Sequence, residues 1–80
     1  MTVSDTVNMA LKKAGIRHRP LADSFGMSVS SMNNKFSKNS WSAADLQKVA
    51  ACTGGRLALV YPDGQQILFD PPAEEPEAEG

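Results

Sequence analysis

Apolar residues in the first fifty positions recur at three- and four-residue spacing, and after a pair of glycines the period changes to two. Val3, Val7, Ala10, Leu11 and Ala14 predict a first helix over about 4–14, with Gly15 where a left-handed terminator sits. Pro20 at an opening position, Leu21, Ala22 and Phe25 on one side, and Gly26 at the close predict a second, short helix. Ser28 can cap a third, in which Val29, Met32 and Phe36 form one stripe while Ser30, Ser31, Asn34 and Lys38 point the other way. Ser42-Ala43-Ala44-Asp45 is a capping-box variant and opens a fourth helix, with Ala43, Leu46, Val49, Ala50 and Thr53 inward. Gly54-Gly55 stops it. Beyond the glycines, two apolar runs within residues 56–69 flank Pro62-Asp63-Gly64, which suits a type I turn followed by a left-handed glycine, so a β-hairpin is expected. Leu57, Leu59 and Tyr61 fall on one face of its first strand and Ala58 and Val60 on the other, so packing on one side only leaves apolar surface to be covered.

Residues 70–80 hold three prolines, five acids and no large apolar side chain, and read as a disordered acidic tail after a domain at 1–69. With 80 residues, one such domain is all the chain can hold. No apolar run approaches the ~20 residues of a membrane span, and the start has no basic stretch leading into a hydrophobic segment. Cys52 is the one cysteine, so no intrachain disulfide forms and a reducing cytoplasm is the expected compartment. The formal net charge is −1, but the tail takes five of the nine acids, so residues 1–69 carry eight bases against four acids, or +4. Residues 12–38 hold six bases against Asp23 alone, a bunching that points to a polyanionic partner or to a solvated basic face.

Two short helices joined across Gly26-Met27-Ser28, the second capped and polar on one side, meet the requirements of a helix-turn-helix reader of DNA. Residues 14–36 resemble the lambda-repressor-like (Cro, XRE-type) helix-turn-helix proteins, with Leu21, Ala22, Gly26, Met32 and Phe36 at the family's structural positions. The resemblance spans roughly residues 5–54. It implies a mainly α fold: a four- to five-helix bundle whose helix from Ser28 enters the major groove, followed here by the hairpin. It also implies a dimeric transcriptional repressor. Arg17 to Arg19 departs from the pattern, because a Thr or Ser cap followed by Gln is commoner there, so His18 or Arg19 has to replace the usual glutamine-to-phosphate contact.

Asn33 and Asn34 can present amides to adenine, Ser30 and Ser31 can donate or accept at either base, and Val29 can touch a thymine methyl. Arg17, His18, Arg19, Lys35 and Lys38 flank that surface as phosphate contacts. So few base contacts make a weak monomer, hence a homodimer on an inverted repeat is expected, with Leu57, Leu59, Val60, Ile67 and Phe69 as dimer contacts. Neither an enzyme, nor a metal site, nor a cofactor is expected, since one histidine, one cysteine and four acids in residues 1–69 assemble no recognisable constellation. Trp41 reads as a hydrophobic staple or as a contact to the DNA backbone, and Cys52 as a small buried residue or a redox-sensing thiol. The alternative function is a protein-binding module such as an antitoxin or adaptor, with the acidic tail as a segment for a protein partner.

Overall fold

Side-chain caps set where three of the four helices begin. The computed structural model describes residues 1–69, in the order α1 (Val3–Ala14), α2 (His18–Ser24), α3 (Val29–Lys38), α4 (Ala43–Cys52), β1 (Ala58–Val60) and β2 (Gln66–Leu68). The expected acidic tail, 70–80, lies outside the described residues. At the start of α1, Asp5 N–H donates to Thr2 Oγ1 (3.1 Å) and Thr2 N–H donates to Asp5 Oδ2 (2.9 Å), a reciprocal capping box. The same pair recurs at α4, where Asp45 N–H donates to Ser42 Oγ (3.1 Å) and Ser42 N–H to Asp45 Oδ2 (3.0 Å). Ser28 caps α3 by accepting from Ser31 N–H at 3.0 Å. α2 begins two residues earlier than Pro20 implied: Arg17 is its N-cap and Pro20 its third residue, still within the first turn, where a missing N–H costs nothing.

Gly26 turns the chain from α2 into α3 at φ +67°, a left-handed backbone that other L residues adopt at a cost of about 1–2 kcal/mol. The turn brings Leu21 and Ala22 against Met32, and all three are buried. Val7 and Leu11 of α1 and Val49 of α4 complete the core, with Phe25, Phe36, Trp41 and Leu46 packed around it. Three apolar positions fall outside this core contrary to the periodic reading, Val3 among them, exposed at the first residue of α1. Ala43 and Ala14 are exposed, since each sits at a helix end beyond the reach of the neighbouring helix.

Ser4 joins α1 to the end of α3. Its hydroxyl donates to the Phe36 carbonyl (2.8 Å) and accepts from Trp41 Nε1 (2.9 Å), while its N–H donates to Asn39 Oδ1 (2.9 Å). Asn39 closes α3 in the left-handed region at φ +54°, where asparagine is among the better-tolerated side chains. Trp41 meets Phe36 edge-on at 4.9 Å and Phe25 at 6.5 Å. Trp41 therefore packs into the molecule, and does not stand out as a backbone contact. Cys52 is half-buried against the core.

β1 and β2 pair antiparallel, with Ala58 opposite Leu68, Leu59 opposite Ile67 and Val60 opposite Gln66. Gly64 N–H closes the turn on the Tyr61 carbonyl (2.9 Å) with the glycine at φ +91°, as the Pro-Asp-Gly run predicts. Neither strand packs against a helix of the described residues. Leu59, Val60, Ile67 and Leu68 are each about half or more exposed, at 50%, 67%, 49% and 51%. Between α1 and α4 a groove of about 280 Å³, lined mainly by Val7, Ala10, Leu46, Val49 and Ala50, opens toward Leu57 at the foot of the hairpin.

Candidate nucleic-acid interface

α3 carries its apolar stripe, Val29, Met32 and Phe36, toward the core, and the opposite side of the helix is exposed. Ser30 and Asn34 lie there, and neither side chain has a hydrogen-bond partner among the described residues, so their polar groups are available to an outside partner. Ser31 is exposed, but its hydroxyl accepts from Ser28 Oγ at 3.1 Å within the cap. Val29 is half-buried against the core, which leaves part of its surface outward. The five base-contact candidates thus divide into two free polar side chains, two side chains held by neighbours, and one aliphatic edge.

Asn33 is the second of the held side chains. Its Oδ1 lies 3.1 Å from His18 Nδ1, and His18 Nε2 lies 3.1 Å from Asn8 Oδ1 on α1. The imidazole is stacked on Phe36 at 4.2 Å with an interplanar angle of 8°. Both ring nitrogens are engaged, so His18 cannot also grip a phosphate without giving up one of these partners. Asn8 was not singled out from the sequence, and nothing local to it could have done so: it is a polar residue on the exposed side of a helix, and its partner is ten residues away.

Lys35 also departs from its expected role as a phosphate contact. Its Nζ is 2.7 Å from Asp45 Oδ2, donates to the Ser40 carbonyl at 3.0 Å and lies 5.5 Å from the Trp41 ring centre. This lysine clamps α3 to the start of α4. Partial burial pushes the Asp45 carboxyl up, but hydrogen bonds from Lys35 and from the Ser42 N–H, with the charge of Lys35, outweigh it and hold the group below the ordinary carboxylate value. Arg17 and Arg19 at the start of α2 and Lys38 at the end of α3 are exposed, and none has an ion-pair partner among the described residues. Arg17 and Arg19 stand either side of His18, whose ring reaches Asn33 of α3, and Lys38 is the last residue of α3.

No protein-family model, curated protein or solved structure matches this chain. The chemistry of the surface therefore has to carry the functional argument. That surface holds hydroxyls, amides and bases and, from Val29 through the ten residues of α3 to Lys38, no acid. Among the described residues no helix is long and apolar enough to cross a membrane, and no group of three or more histidines, cysteines and acids is placed to hold a metal ion.

Proposed function

We propose that this protein is a sequence-specific double-stranded DNA-binding transcriptional regulator, a dimeric repressor in which α2 and α3 act as a helix-turn-helix. The observation that carries this reading is the exposed, acid-free face of α3, backed by Leu21, Ala22 and Met32, with the exposed bases Arg17 and Arg19 at the start of α2 and Lys38 at the end of α3. A helix so presented can lie in a major groove about 12 Å wide while the flanking bases neutralise phosphates. Ser30 and Asn34 are the readers in this arrangement, with Val29 available to a thymine methyl. The operator is an inverted repeat, with half-sites about 10 base pairs apart, centre to centre. The regulator's own promoter is the first place to look for it.

The hairpin supplies the means of pairing. A two-stranded hairpin is marginal in water by itself, and this one exposes Leu59 and Ile67 on one face and Val60 and Leu68 on the other. Contact with a second copy through Leu57, Leu59, Val60, Ile67 and Phe69 draws on both faces, with Val60 on the side opposite Leu59 and Ile67. The same exposed apolar surface favours a second reading, a protein-binding module such as an antitoxin or adaptor, in which a different protein covers it.

Fluorescence anisotropy with the protein's own upstream DNA and a scrambled duplex of equal length, at ~150 mM salt and above, separates the readings. A preference of ~100-fold or more for the upstream duplex is expected of an autorepressor. Equal, steeply salt-dependent binding to both assigns the bases to phosphate and places the operator elsewhere. Absence of binding to either favours the protein-binding module.

A further inference from the structure

An imidazole between two carboxamides fixes what those amides can offer to anything else. His18 Nδ1 and Nε2 each lie 3.1 Å from an amide oxygen, of Asn33 and Asn8 respectively; in the tautomer with its hydrogen on Nδ1 the ring donates to Asn33 Oδ1, and the ring lies flat on Phe36. A half-turn of the ring would keep the stack but break both contacts. With its Oδ1 turned to His18 Nδ1, Asn33 keeps its NH₂ group without an intramolecular partner among the described residues. An asparagine that reads adenine needs both ends of its amide, the oxygen for N6–H and the nitrogen for N7. Asn33 held in this way has its oxygen turned to the ring and its NH₂ group free to donate.

We infer that His18 is a positioning residue that sets the hydrogen-bonding polarity of Asn33, making it a donor to an acceptor atom of bound nucleic acid in place of a bidentate reader of adenine. The acceptor is a purine N7, guanine O6, thymine O4, or a phosphate oxygen. This rests on the DNA-binding reading above. It also gives His18 a part in recognition different from the phosphate contact expected of its place in the sequence. Asn8 holds the other side of the ring and completes the clamp across α1, α2 and α3.

The test is a double-mutant cycle on H18F and N33A, read on duplexes that vary one operator position at a time. Phenylalanine keeps an aromatic ring against Phe36 and removes both ring nitrogens, so Asn33 is released without loss of the stack. Far-UV circular dichroism and thermal unfolding check that both variants fold, and the side-chain NH₂ resonances of Asn33 report the release directly. H18F is expected to shift these resonances and to change binding by about fivefold or more, with the change disappearing in the N33A background. If the change falls on one operator position and newly favours adenine there, the acceptor is a base edge; if it is equal across all duplexes, it is a phosphate. A response to H18F that is the same in the N33A background as in the unsubstituted one overturns the inference while leaving DNA binding intact. If the unsubstituted protein binds no duplex, the DNA-binding reading fails and the inference falls with it.

Discussion

Removing the hydroxyl of Ser4 leaves the indole N–H of Trp41 without its partner, in a site that water reaches poorly, and leaves the Phe36 carbonyl with the Asn39 N–H alone. S4A should therefore cost about 1–3 kcal/mol, the usual penalty for an unsatisfied buried polar group. Urea denaturation followed by the fluorescence of the one tryptophan measures this and reports on the same site. G26A is a cleaner case, because an added Cβ there meets nothing within 4 Å and the loss of about 1–2 kcal/mol is backbone strain alone. Gly26 could be read from the sequence because its demand is local, a turn between two short helices. The Thr2-Val3-Ser4-Asp5 capping box is equally local, and its Thr-x-x-acid signature was available to find it. Ser4 was not legible in that way: its partners lie 32 to 37 residues along the chain, and a serine in the first turn of a helix looks like any solvent-facing one.

Along α3 the two sides of one helix should answer substitution in opposite ways. M32A, at a fully buried position, should destabilise by about 2–5 kcal/mol, whereas N34A on the exposed face should change stability by no more than about 0.5 kcal/mol while weakening DNA binding. Chemical denaturation and anisotropy, run on both variants, separate the two effects. Where α3 meets α4, the depressed titration of Asp45 makes an acid-side prediction. The folded value lies below the unfolded one, so the contribution of Asp45 is complete above the ordinary aspartate value of ~3.9 and is lost as the pH falls through the lower, folded value. D45N should remove that part of the acid slope when thermal stability is compared across that range. The helices themselves were legible because caps and apolar period act within one turn. The pairing of Lys35 with Asp45 was not, since ten residues and a loop separate them and only the packing of α4 on the bundle sets the distance. Counting Lys35 among the phosphate contacts followed from charge in the sequence alone.

For the molecule as a whole, the hairpin is the element whose place the sequence anticipated and whose surroundings it could not supply. Its strands, turn and two apolar faces follow from alternation and from Pro-Asp-Gly, but whether the helices cover one face is a tertiary matter, and they cover neither. L59K and I67K place charge on paired positions of a single face. In sedimentation velocity each should lower the population of dimer without unfolding the helices, because no strand packs against them. Both variants should also lose affinity for a two-half-site operator far more than for a single half-site.

A hairpin that finds its cover only in a second copy ties the order of one part of the chain to the amount of protein present. Occupancy of a paired site then climbs with roughly the square of protein concentration while the dimer is scarce. On the proposed dimeric reading, a promoter governed in this way would answer a gradual rise in protein as a threshold, and the bare strands would place that threshold on the concentration axis.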